Sequence, residues 1–320
     1  MKIFLTGATG VLGRRVVPSL VAAGHAVDAV ARGEAKADEL RRAGADPVAV
    51  DLFDRQAVFA AVTAARPDAV VHLATNIPNM SRALLPGAWR INDRLRAEAS
   101  HHLADAALAA GAGHYLQESI TFGYADGADR WLDEDAPLAR GPQERAVAAS
   151  AQAVARFAGK GGAGVLLRFA AFYAADSAHT QAQVAMARAG RPALPGPADG
   201  YLSSIQIDDA ASAVVAALTV PAGTYNVADD APMLHRDAAD LLAAVATGRP
   251  GTHGRLIPAA VMRLSGRARP LTRSHRISNA RFRDATGWRP RFPSLADGLP
   301  EVVRELGAAT AAGEPLAARR

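Results

Sequence analysis

The 320-residue chain contains no cysteine. That excludes a disulfide framework, a thiolate metal site and a cysteine nucleophile. Lysine occurs only at Lys2, Lys36 and Lys160, so the net charge of +5 rests on arginines scattered among acids. Aromatic residues make up 5% of the chain. Recognition of nucleic acid calls for clustered basic residues, and for single strands also stacking platforms, so no nucleic-acid partner is expected. Long hydrophobic runs are missing as well. The best candidate, "AASAVVAALTV" from Ala210 to Val220, is too short to span a bilayer. No basic leader precedes the first strand, expected to start at Lys2, so the reading has no membrane partner and a cytoplasmic location.

Half of the residues are hydrophobic, and the length suits one large domain or two closely joined ones. "KIFLT" is a continuous apolar run of the kind that forms a strand buried on both faces. Gly7, Gly10 and Gly13 follow, and then "VVPSLVAAG", with helical spacing and Gly24 as its C-terminal cap. Glycines between a strand and a helix let the backbone approach a pyrophosphate, which the helix N-terminus attracts. Gly7, Thr9, Gly10, Val11, Leu12 and Gly13 are therefore the expected diphosphate turn.

"AVDAVAR" gives a second strand. Arg32 ends it, where NAD-binding folds often place an acid for the ribose 2′-hydroxyl; an arginine pairs instead with a 2′-phosphate, which favours NADP(H). Asp28 faces away within that strand. "DPVAVDLFD" gives a third strand ending at Asp51-Leu52, then come the helix "RQAVFAAVTAA" and the strand "DAVVHLAT". This alternation predicts an α/β, Rossmann-type doubly wound parallel sheet, with ligands beyond the carboxyl ends of the strands. Asp51, Ala74, Thr75 and Asn76 fall on that rim.

In order along nearly the whole chain, "TGATGVLG", "DLFD", "HLAT", Asn92, "YLQESITFGYADG", "GVLLRFAAFYA", "SSIQIDDAASAVVAAL", "GTYNVADD" and "RISNARFRDATGWRP" make the sequence resemble the extended short-chain dehydrogenases/reductases. That superfamily includes nucleotide-sugar epimerases and dehydratases. The resemblance implies a Rossmann domain of residues 1–171 plus about 203–230, and a smaller substrate-binding lobe of 172–202 and 231–320. It also implies cofactor contacts at Leu52, Leu73, Ala74, Thr75, Asn92 and Phe169. Substrate contacts are implied at Thr75, Asn76, Phe122 and Tyr173.

The family uses a serine on the substrate carbonyl, a tyrosine that moves the proton, and a lysine four residues later. Free tyrosine titrates near ~10 and needs positive charge beside it to work near neutrality. Ser119 matches the serine, with Thr121 close by. The tyrosine position falls on Glu144 and the lysine position on Ala148, within "GPQERAVAASAQAV". Tyr124 and Tyr173 have no lysine four residues on. Ala171 replaces the asparagine typical of sugar-nucleotide enzymes.

The sequence is similar to atypical members that tailor polyketides and lack the tyrosine and lysine. They imply NADPH-dependent reduction of a ketone, with the proton from substrate, water or a buried Glu144. A cofactor-retaining epimerase or dehydratase and a non-catalytic NADP-binding regulator remain open. The expected partner is a small-molecule substrate, and the expected assembly a monomer or homodimer. His101 and His102 are adjacent on a helix and cannot form a zinc pair, so no metal is expected. Asp208 and Asp209 suit a helix N-cap, "WLDEDAPL" a surface loop, and the arginines of "RLSGRARPLTRSHR" either a solvated surface or an acidic substrate.

Overall fold

The computed structural model of the protein describes residues 1–78, 85, 87–263 and 268–311. Seven parallel strands form one sheet: β1 (Lys2–Thr6), β2 (Ala26–Val30), β3 (Asp46–Val48), β4 (Ala69–His72), β5 (His114–Ile120), β6 (Ala163–Phe169) and β7 (Gly223–Val227). Their spatial order is β7-β6-β5-β4-β1-β2-β3, so the winding reverses between β1 and β4, where doubly wound folds bind their ligands. Ile3 and Leu5 of β1 enter one core layer with Val16, Val17 and Leu20 of α1 (Gly13–Ala22). Phe4 enters the opposite layer with Val58 and Val62. Burial on both faces is why these strands read as unbroken apolar runs.

Helices α2 (Glu34–Arg42) and α3 (Arg55–Ala65) follow β2 and β3. Asp54 caps α3, its carboxylate accepting from the N–H groups of Gln56 and Ala57 at 2.9 and 3.0 Å. The third strand is shorter than expected and leaves Asp51 and Leu52 in the turn beyond it. Two other local expectations are corrected. Gln206, not an aspartate, caps the helix Ile207–Ala216, while the Asp209 carboxylate accepts from the N–H groups of Arg291 and Phe292 at 2.8 and 3.0 Å. "WLDEDAPL" is no loose loop either: Trp131–Leu132 pairs with Arg276–Ile277, and buried Glu134 accepts the Asn226 N–H at 2.7 Å.

A second cluster forms where the helices Ala178–Arg188, His235–Thr247 and Leu295–Ala311 pack through Val184, Leu242 and Leu299. The boundary with the sheet is less clean than the expected 231–320 lobe. Ile277, Phe282 and Trp288 pack into the main core beside β7. The two bodies are also clasped together by Arg15, whose guanidinium grips Asp176 through two hydrogen bonds of 2.9 Å. Arg267 of the arginine-rich segment and residues 312–320 of the expected lobe lie outside the described residues. Among the described residues no helix is long and apolar enough to cross a membrane.

Candidate active site

Gly7 has φ +78°, and a Cβ there would fall 2.5 Å from the Ala74 nitrogen. A Cβ on Gly13 would fall 2.1 Å from the Gly7 oxygen. These two glycines are fixed by close packing of turn, strand and helix. Gly10 is different: it is exposed, and a Cβ would meet only the Gly7 oxygen, at 3.3 Å. Its outer face is open to a ligand. No side chain caps the start of α1 at Leu12, which suits an anion at that helix N-terminus. Arg32 is exposed directly after β2 and makes no ion pair with a described residue. Asp51 is exposed on the same edge, its carboxylate bonded to the Phe53 N–H at 3.0 Å. The residues present therefore fit a dinucleotide. Leu12, Leu52 and Phe169 have side chains in the core, so any contact they make is through neighbouring backbone or a narrow margin.

The exit of β4 is held by buried polar bonds. The Thr6 hydroxyl donates to His72 Nδ1 at 2.6 Å and His72 Nε2 donates to the Leu95 carbonyl at 3.2 Å. Burial lowers the His72 pKa to about 4, so the ring is neutral and structural. Asn92, also buried, accepts the Asn76 N–H at 3.1 Å. Leu73 and Ala74 thereby stay against Gly7. Thr75 and Asn76 follow on the rim, outside the pocket described next.

That pocket opens at the tip of β5, between the sheet and the lobe. Thr121 and Phe122 form its floor, with Phe172 and Tyr173 beyond β6. Tyr201, Arg273 and His275 close it from the lobe side, and Ser204 lines it from the strand paired with Ala171–Tyr173. Phe122 and Tyr173, expected as substrate contacts, are both among its lining residues. Ser119, at the end of β5, is fully buried, and its Oγ has no hydrogen-bond partner; it lies behind Thr121 and not in the wall itself. The Tyr173 hydroxyl is also buried and unpartnered. Burial, with Asp229 next, pushes its pKa up.

Tyr124 is committed elsewhere. Its hydroxyl donates to Asn226 Oδ1 and accepts from Arg168 Nη1, both at 2.7 Å, in a fully buried site. Glu144, at the family's tyrosine position, is buried on the helix Pro142–Ala158 and does not line the pocket. It accepts from Arg273 Nη1 at 2.9 Å. The two partners lie 129 positions apart in the chain. Arg273 is one of the arginines for which an acidic substrate was one of two readings, whereas His275, Tyr201 and Ser204 line the pocket without a signal in the sequence.

Fold and site define a dinucleotide-dependent enzyme of the extended short-chain dehydrogenase/reductase type. The chain belongs to the NAD dependent epimerase/dehydratase family, whose model matches residues 3–228. It is 38% identical over 309 residues to a 3-diazoavenalumate denitrifying reductase from a Streptomyces species, covering 93% of this chain and 99% of that protein. Among solved structures it is similar to the human epimerase family protein SDR39U1 with NADPH (TM-score 0.78, 23% identity, 96% of this chain and 100% of that one). It is also similar to the UDP-glucose 4-epimerase of Thermotoga maritima (TM-score 0.77, 20% identity, 97% and 100%). At those identities the structures speak for the fold. Family and reductase relative together support an NAD(P)-dependent oxidoreductase.

Proposed function

We propose that the protein is an NADPH-dependent reductase of a small aromatic substrate held in the β5 pocket. The observation that carries this reading is the position of the pocket: it opens on Thr121 and Phe122 at the carboxyl edge of the same sheet whose first turn fits a diphosphate. When bound, NADPH supplies hydride. The exposed Arg32 suits its 2′-phosphate. Phe122, Phe172 and Tyr201 offer apolar and aromatic surface to the substrate. For a polyketide-like ketone, the Thr121 hydroxyl, with unpartnered Ser119 behind it, donates to the carbonyl oxygen, and the proton comes from the substrate or water, since Glu144 is engaged by Arg273.

A second electrophile is favoured by the absence of tyrosine and lysine from their usual positions. A diazo relative of the substrate, as in the name of the 38% identical reductase, presents an aryldiazonium carbon. Hydride added there leaves an arene and dinitrogen, a balanced step in which the protein donates no proton. Both versions are tested by loss of the reduced nicotinamide absorbance with a panel of aromatic polyketide ketones and aryl diazo compounds. Turnover of a ketone or a diazo compound decides the electrophile. Tight NADPH binding with no turnover of either class rejects the reductase in favour of a non-catalytic role. For cofactor choice, Arg32→Ala is expected to weaken NADPH by about tenfold or more while leaving NADH nearly unchanged, since charge-assisted bonds to phosphate are lost; equal weakening removes the argument for the 2′-phosphate.

A further inference from the structure

We propose that Arg273 binds an anionic oxygen borne by the substrate, a carboxylate or a phenolate, and that Glu144 is its positioning residue. The inference deepens the reductase reading and rests on its assignment of the β5 pocket to the substrate. Among the described lining residues no aspartate or glutamate is present, and Arg273 is the one lysine or arginine. The neighbouring His275 adds no charge near neutrality: burial lowers its pKa to about 4, its Nε2 donating to the Tyr124 carbonyl at 3.2 Å. Burial also lowers the pKa of the other two lining histidines, His179 and His235, so the pocket has one fixed cation among apolar and neutral walls.

The guanidinium is held in place on one side. Nη1 donates to Glu144 Oε1 at 2.9 Å, to the Tyr124 carbonyl at 3.1 Å and to the Phe122 carbonyl at 3.3 Å. Nε and Nη2 make no hydrogen bond with a described residue. A planar fork fixed through one nitrogen keeps its remaining donors in a set geometry, which is the arrangement that recognises carboxylate or phenolate oxygens. The side chain is 12% exposed, so an anion that reached it would meet a partly desolvated charge and gain more than at a free surface. The contact to the Phe122 carbonyl puts the group beside the floor of the pocket. Glu144 touches neither floor nor wall and acts through Arg273.

The test is calorimetric titration of the NADP⁺-loaded full-length protein with three probes: cinnamate, methyl cinnamate and 4-nitrophenolate. The first carries a carboxylate, the second is its neutral ester, the third a phenolate. The wild type is expected to bind one of the two anions about tenfold or more tighter than the ester, the worth of one charge-assisted bond. Which anion wins identifies the source of the oxygen. Arg273→Met retains much of the stem packing and is expected to abolish the preference while ester and NADP⁺ affinities hold. Glu144→Gln is expected to reduce the preference without touching ester binding. Arg273→Lys serves where Arg273→Met does not fold; it keeps charge, loses the fork, and should retain part of the preference. A wild type without preference, or variants that weaken all three probes equally, overturns the proposal, because a merely structural arginine does not distinguish acid from ester. A preference that Arg273 controls in a protein that reduces no compound keeps the anion site and rejects the reductase reading.

Discussion

A Cβ on Gly13 would sit 2.1 Å from the Gly7 oxygen, whereas one on Gly10 would sit 3.3 Å from the same atom. The first contact is with backbone that cannot give, so Gly13→Ala is expected to cost on the order of 1–3 kcal/mol from overpacking. The second needs a shift of a few tenths of an ångström, so Gly10→Ala is expected to keep the melting temperature close to wild type and lose NADPH affinity by crowding the diphosphate. Thermal melts and a titration of NADPH fluorescence separate the two. Unchanged affinity in Gly10→Ala would mean that the diphosphate does not lie on this turn. These glycines were legible because strand, turn and helix follow one another within a few residues. Glu144 was only half legible. Its place in an alanine-rich helix follows from spacing, but its partner is Arg273, and nothing local in either segment announces the other.

At the scale of elements, the helical run 90–109 changes pitch where it passes the tip of β5. Arg90–Arg94 and Ser100–Ala109 are α-helical and Leu95–Ala99 is a π turn between them. Such turns bring one side chain out of the regular stagger. Here the turn carries Arg96, whose Nη2 meets the Glu118 carboxylate at 2.9 Å, with the two side chains 3% and 5% exposed. Burial raises the Glu118 pKa, and Arg96 opposes the rise. Removing one partner strands a buried charge, so Arg96→Met is expected to destabilise by about 3–5 kcal/mol, whereas the double variant Arg96→Met, Glu118→Leu is expected to recover most of the loss. Urea melts decide it; a double variant no more stable than the single one would show that packing, not the orphaned carboxylate, sets the cost. Apolar pattern gave β1 to β4, α1 and α3, whereas the mostly polar α2 went unread. The two-residue strands at Leu194–Pro195 and Tyr201–Leu202, which shape the pocket, have no pattern to read.

Across the whole molecule, what joins sheet and lobe is a set of long-range contacts that no local signal encodes: Arg15 on Asp176, the return of Phe282 and Trp288 to the core, and the Asn279 side-chain amide donating to the Ala228 carbonyl and the Asp230 carboxylate on either side of Asp229. Asp229 follows β7 where the two bodies meet. Its N–H donates to the Ser204 carbonyl at 2.8 Å, and its carboxyl accepts from the Ser204 hydroxyl at 2.6 Å. Its other oxygen is buried without a partner. Burial, with Asp230 and Asp209 adding negative charge against it, raises its pKa from 3.8 to about 8. A folded-state value above the unfolded one means that the native state holds the proton more tightly. This group's contribution to stability is therefore full below pH 3.8 and is lost as pH rises through about 8, at about 1.4 kcal/mol per unit within the window. His72 and His275, both lowered to about 4, work the other way, stabilising above their ordinary 6.5 and losing that contribution as pH falls through 4. The wild-type curve alone thus mixes opposing slopes. Asp229→Asn removes one of them and keeps an acceptor for Ser204, so the melting temperature of the variant minus that of wild type should rise steadily from pH 5 to pH 8 and level off above it. A difference that stays constant across that range would mean that Asp229 is already ionised in the folded protein and that its buried oxygen has found a partner in solution.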